Sequence, residues 1–169
     1  PFFKKLDSSY RKMLKNYPDA YSKTNLIPID LKDPKFNLAE KVDMILTFRN
    51  VHNWAKAKNE LIMFTSFFNS LKKSGVLGIV EHRAKPNTSL EKQIKTGYMT
   101  EEFVKKIAKE VGFKFIDSSD VNNNPKDTKN YSGGVWTLLP NLRGVKSSEK
   151  SKYIKIGESD RMTLKFIKP

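Results

Sequence analysis

The chain contains only two histidines, His52 and His82, and both fall just beyond the end of an apolar run of strand length. The first run, Val42 to Phe48, leads into Arg49-Asn50-Val51-His52-Asn53-Trp54, and the second, Val76 to Val80, into Glu81-His82-Arg83. Together these segments supply imidazole, carboxylate, amide, guanidinium and an aromatic face, the groups that must replace water around a polar ligand. An imidazole of ordinary pKa, about 6.5, can also accept a proton near neutral pH. The alternative is that each histidine is a loop residue bonded to a nearby carbonyl or helix end. Two histidines and a glutamate could ligate zinc, but with no His-Glu-x-x-His helix and no third histidine, no metal is assigned. The chain has no phosphate-cradling glycine loop and no Gly-x-Ser-x-Gly elbow, so nucleotide-phosphate binding and serine hydrolysis lose their usual basis. Ser132-Gly133-Gly134 precedes no predicted helix and reads as a turn.

The two runs are nearly continuous in apolar residues, the pattern of strands buried on both faces of a parallel sheet. Between them, Ala57, Leu61, Phe64, Phe68 and Leu71 recur at helical spacing, predicting a helix from Trp54 to Lys73 that stops before Gly75. Strand, helix and strand in this order imply a right-handed parallel unit. In open α/β sheets ligands bind outside the carboxyl ends of the strands, so both imidazoles are expected in one crevice. Elsewhere, Asp7 to Tyr17 predicts a helix ended by Pro18, and Asn25 to Asp30, with Pro28 inside it, an edge strand. Thr100 can cap a helix with Glu101 and Glu102 in its first turn and Gly112 as its stop, followed by a strand at Phe113 to Ile116. Residues 122-160 are polar apart from the island Val135 to Leu139 and read as an insertion or lid. The alternating Met162, Leu164 and Phe166 make the final strand.

With 169 residues the chain is long enough for one core, and at 38% hydrophobic content it lies well outside the disordered range. A single domain, 1-169, is expected. The absence of cysteine excludes disulfides and thiol chemistry and agrees with a cytoplasmic setting. Neither a membrane span nor a leader is visible. Position 1 is proline, and Phe2 and Phe3 have no preceding element to pack on, which suggests a fragment. The net charge of +14 attracts anions, yet the surplus is mostly lysine spread over every predicted face, which serves solubility as readily as binding.

At these residues the sequence resembles a known family. Val42-Asp43 through His52-Asn53-Trp54 is similar to the fourth strand and following loop of class I S-adenosylmethionine-dependent methyltransferases. Phe67 to Glu81 resembles that family's helix, Leu-Lys-Pro-Gly-Gly turn and fifth strand, with Ser74 in place of the proline and Gly75 alone of the glycine pair. Thr100 to Phe115 resembles its next helix and sixth strand. Gly157-Glu158-Ser159-Asp160-Arg161 onward resembles the closing strand of a bacterial group of predicted methyltransferases. The match covers most of residues 25-169. It implies an α/β Rossmann-like sheet, mostly parallel with an antiparallel last strand, lacking the first strands and the glycine loop of the family.

The resemblance implies methyl transfer from S-adenosyl-L-methionine to an unidentified small-molecule or anionic acceptor, with cofactor binding weak or absent in this chain because the glycine loop is missing. It places Asp30, Phe48, Arg49 and Asn50 toward the cofactor. Asn50, His52, Glu81 and His82 would position or deprotonate the acceptor. Trp54 would shield the sulfonium or pack under the helix, and Arg83 would orient an anionic substrate or lie free on the surface. The rival readings are a non-catalytic basic module docking RNA or another anionic partner, and a sulfonium-cleaving enzyme on the same scaffold. The sequence does not fix the oligomeric state.

Overall fold

The structure is a computed structural model that describes residues 2–169, with side chains from residue 7 onward. The expectation that Phe2 and Phe3 have no preceding element to pack on concerns side chains outside those described. Helices α1 (Phe2–Asn16) and α2 (Pro18–Tyr21) meet at Pro18, which ends the first and occupies the opening turn of the second, where its missing N–H has no partner to lose. Next come β1 (Val42–Phe48), α3 (Val51–Ala57), α4 (Glu60–Ser70) and β2 (Leu71–His82). They are followed by α5 (Leu90–Thr96), α6 (Glu101–Val111), β3 (Lys114–Ser119), α7 (Lys150–Ile156) and β4 (Arg161–Ile167).

The four strands form one sheet in the order β1-β2-β4-β3. β1 and β2 are parallel, with Met44 opposite Val76 and Phe48 opposite Val80. β4 is antiparallel to both of its neighbours, β2 and β3, so the chain is an α/β domain with a mixed sheet whose last strand runs against the others. This matches the sheet read from the sequence.

One face of the sheet carries the core. Leu77 and Ile79 of β2 and Met162, Leu164 and Phe166 of β4 point to the same side by the two-residue period of a strand. There they meet Trp54 of α3, Phe64 and Phe67 of α4, and Val104 and Ile107 of α6. Helix α6 begins at Thr100, whose hydroxyl accepts the Phe103 N–H, and ends at Gly112 in the left-handed region (φ 111), as its sequence predicts. Among the described residues no helix is long and apolar enough to cross a membrane.

Three expectations need correction. The central strands are not buried on both faces: Met44, Leu46 and Phe48 of β1 are more than half exposed, because every helix in the core packs on the opposite side. The helix predicted from Trp54 to Lys73 breaks in two, since Lys58 turns left-handed (φ 57) and takes its N–H back to Ala55 and Trp54. Its predicted end, Leu71 to Lys73, already belongs to β2. Asn25 to Asp30 forms no strand. Asp30 makes only an isolated bridge with Asp33, Ile29 rests against the core, and the residues that follow are held on the helices, where Phe36 stacks on Phe67 and the Asn59 amide donates to the Leu31 carbonyl (2.7 Å). Residues 122-160, expected to form an insertion or lid, run up to the start of β4. They are pinned to the sheet end by Asp127, which accepts from the Tyr98 hydroxyl at 2.9 Å and from the Asp160 N–H at 2.8 Å.

Candidate functional site

The carboxyl ends of β1 and β2 and the start of β4 meet at a cleft of about 300 Å3. Strand alternation decides what each tip residue does there. Leu77, Ile79 and Glu81 share the core side of β2, so a carboxylate enters the buried layer with no exposed surface of its own. A buried carboxylate survives only when its oxygens are hydrogen-bonded. Glu81 finds three donors: the backbone N–H of His82 (2.8 Å), the backbone N–H of His52 (3.2 Å) and Nδ1 of the His52 ring (3.0 Å). The second of these lies in the first turn of α3, whose preceding residue, Asn50, makes no side-chain cap. Glu81 thus supplies from another strand what a capping side chain would supply locally.

The acceptor role of Glu81 assigns the proton of His52 to Nδ1. That leaves Nε2 without a hydrogen-bond partner among the described residues, on a ring that lines the cleft. His82 points to the other face of β2 and lines the same cleft, its ring centroid 5.4 Å from that of His52. Its Nδ1 is hydrogen-bonded to the hydroxyl of buried Ser159. Burial, and then the charges of His52, Arg49 and Arg161, depress the His82 pKa to about 3, so this ring is neutral over the physiological range.

The cleft thus brings together Phe48, Arg49, Asn50, His52 and His82, with Glu81 directly behind them. It does not include the other three residues expected at the site. Trp54 is buried edge-on against Phe64 and Phe67, with ring centroids 6.3 and 5.5 Å away, because the first turn of α3 faces the strand tips while Trp54 faces α4. Arg83 is spent on structure: it pairs with Asp160 (2.8 Å) and Glu101 (3.3 Å), and both its hydrogen bonds and its ion pairs raise its pKa against the opposing effect of burial. Burial alone would raise the Asp160 pKa, but Arg83, Lys129 and the Asn124 N–H outweigh it and hold the group at about 2. Asp30 is exposed, accepts the Lys32 N–H at 2.9 Å and forms no part of the cleft.

The far wall was missed by sequence reasoning. It consists of Trp136, Leu139, Pro140 and Asn141, with Glu158, Ser159 and Arg161 below. Two signals were present: the apolar island at Val135 to Leu139 in a polar tract, and the Gly157 to Arg161 run entering the last strand. The wall is seated by Gly134 at φ 61, where a Cβ would lie 2.1 Å from the Thr96 carbonyl oxygen, so only glycine lets this turn rest on the end of α5. The Trp136 ring then meets His52 at 6.1 Å and 74°.

His52, Glu81 and His82 also present donor atoms that all lie within 4.8 Å of one another, a set that could take a divalent ion. Both Glu81 oxygens already accept N–H groups, however, and the arrangement is complete as a carboxylate-oriented imidazole.

No protein-family model matches the sequence, and no curated protein matches it. Solved structures do. The cyclase SpnF aligns with a TM-score of 0.51 at 13% identity, over 83% of this chain and 54% of its own. The StiE O-MT aligns at 0.47 and 17%, over 82% of this chain and 47% of its own. Phosphoethanolamine N-methyltransferase 2 of Haemonchus contortus, in complex with S-adenosyl-L-methionine, aligns at 0.41 and 18%, over 75% of this chain and 33% of its own. The chain spans about half the length of the first of these or less. At such identities the likeness is one of fold alone: an α/β unit with a mixed sheet similar to that of the cyclase SpnF.

Proposed function

We propose that the cleft is the acceptor side of a methyl-transfer site, in which His52 takes the proton of the acceptor while Glu81 holds the ring in the required tautomer. The observation that carries this reading is the buried bond between Glu81 and His52 Nδ1 at the tips of two parallel strands. A base needs an unprotonated nitrogen facing the substrate and a partner that fixes the ring, and Nε2 and Glu81 fill those two roles.

Transfer from a sulfonium is an in-line displacement, and the main task of the protein is alignment, which can lower the barrier by about 7–11 kcal/mol. When bound, S-adenosyl-L-methionine supplies the electrophilic methyl group. The residues present suit its reactive end better than its whole length. Phe48 and Asn50 line the cleft beside His52, whereas Asp30, expected at the adenine, stands apart, and the sequence holds no glycine-rich turn for close backbone approach. Cofactor affinity in this chain is therefore expected to be weak. His82, neutral and bonded to Ser159, accepts or donates one hydrogen bond at the acceptor and does not compete for the proton. The acceptor leaves as its methyl derivative, and the proton taken by His52 passes to solvent.

The test is turnover of methyl-labelled S-adenosylmethionine with a panel of small-molecule acceptors. S-adenosylhomocysteine should accumulate, and His52→Asn should lower the rate about 10²–10⁴-fold with little change in stability. Methylthioadenosine as the product would replace transfer by sulfonium cleavage, and equal rates for wild type and His52→Asn would remove His52 from the chemistry. Chelation should leave the rate unchanged; loss of turnover on chelation would turn the three donors into a metal site.

A further inference from the structure

We propose that Arg49 and Arg161 form an oxyanion subsite in the cleft, so that the acceptor is a small molecule carrying a carboxylate or phosphate beside its nucleophile. The word acceptor rests on the methyl-transfer reading; the subsite itself rests on geometry. Arg49 leaves β1 in the left-handed region (φ 57), a conformation that a residue other than glycine adopts only when its surroundings enforce it. Its N–H donates to the Val80 carbonyl at 2.7 Å, which fixes the backbone at the rim of the cleft. No side-chain hydrogen bond or ion pair holds its guanidinium among the described residues. Arg83, by contrast, is paired with Asp160 and Glu101 and does not line the cleft.

Arg161 opens β4 directly opposite His82 in the sheet register and also lines the cleft. Its Nη2 is paired with Glu158, but its Nε is buried with no acceptor. Such orphan donors are rare in folded proteins and mark places where something else completes the bonding. A guanidinium offers five donors in a planar fork suited to two oxygens at once, and a single carboxylate leaves most of that capacity unused. The charges of both arginines reach the His82 ring, where they add to burial in holding it neutral. The lining residues bring two guanidiniums against the Glu158 carboxylate, with the Glu81 carboxylate buried behind His52, between apolar walls at Phe48, Leu139 and Pro140. Trp136 lines the same cleft, its ring 6.1 Å from that of His52. The ligand these groups describe is anionic at one end and flat or apolar in its body, with its nucleophile toward His52.

The carboxylate could belong to the acceptor or to the amino-acid end of the methyl donor, and the experiment separates them. The chain has two tryptophans, Trp54 in the core and Trp136 on the cleft, so their indole N–H resonances distinguish binding from unfolding. Benzoate and inorganic phosphate, titrated into the full chain, should move the Trp136 signal and leave Trp54 in place, while neutral benzyl alcohol should bind far more weakly. Arg49→Gln should weaken benzoate about tenfold or more, the size of a lost charge-assisted bond. Arg161→Lys, which keeps the charge and loses the fork, should weaken it less. Equal binding of benzyl alcohol and benzoate, or benzoate affinity untouched by Arg49→Gln, overturns the subsite. Joint binding of benzoate with S-adenosylhomocysteine supports the acceptor as the source; competition between them, with both weakened alike by Arg49→Gln, overturns that assignment and gives the carboxylate to the donor. Absence of benzoate binding while His52→Asn still abolishes methyl transfer overturns the substrate class alone. Intact arginine-dependent binding with no transfer overturns only the catalytic reading.

Discussion

Replacing Glu81 by glutamine keeps the shape of the side chain but turns one of its two oxygens into a donor that faces donors. Three N–H groups now converge on the carboxylate, and at least one of them must lose its acceptor in the variant. The expected cost is about 1–3 kcal/mol of stability, read from a urea titration, with a fall in turnover because the His52 tautomer is no longer held. His82 makes a second prediction, in pH. Its folded-state pKa of about 3 lies below the ordinary 6.5, so in acid the unfolded chain binds a proton that the folded chain refuses. The resulting stability is fully present above about pH 6.5 and is lost as the pH falls toward 3, by at most about 1.4 kcal/mol per unit. His82→Gln should flatten the unfolding midpoint between pH 6.5 and 4 relative to wild type, and an unchanged profile would assign that slope to other groups.

At the scale of elements, the wall carrying Trp136 depends on Gly134. Gly134→Ala would push a methyl into the Thr96 carbonyl at a backbone conformation that alanine disfavours, so the turn must lift. A loss of about 1–3 kcal/mol is expected, with a changed Trp136 emission as the cleft opens. An unaltered spectrum would mean that the wall holds its place without this contact. Elements governed by local rules were legible in the sequence. Thr100 and Gly112 bound α6, the Val42 and Val76 runs became neighbouring parallel strands, and alternation marked β4. What was not legible was set by tertiary contacts. No residue type announces the left-handed Lys58 that splits α3 from α4, and the helical spacing of Leu71 hides its place in a strand. The site divided in the same way. The tips of β1 and β2 were visible as polar residues after apolar runs, but the bond from Glu81 to His52 depends on which face of β2 Glu81 takes, and the run to Val80 read as buried on both. Trp136, Glu158, Ser159 and Arg161 reach the cleft only because Asp127 and Asp160 fold the preceding loop back on Tyr98 and Arg83.

For the molecule as a whole, the helices guard one side of the sheet while Met44 and Leu46 stand uncovered on the other, along a shallow apolar hollow of about 370 Å3 that continues past Val76 and Gly78. Oily ground of this sort draws copies of a protein together, and the net charge of +14 drives them apart. The repulsion acts over about 30 Å in 0.01 M salt but only about 3 Å at 1 M, whereas the attraction gains nothing from dilution of the buffer. Light scattering should therefore report rising apparent mass as sodium chloride is added, and Leu46→Lys should suppress the rise; a mass indifferent to salt would show that the hollow is inert. The practical reading is that this chain will keep longest as a clear solution in weak electrolyte, and that conditions chosen to imitate a crowded, salty interior are the ones in which it will first turn cloudy.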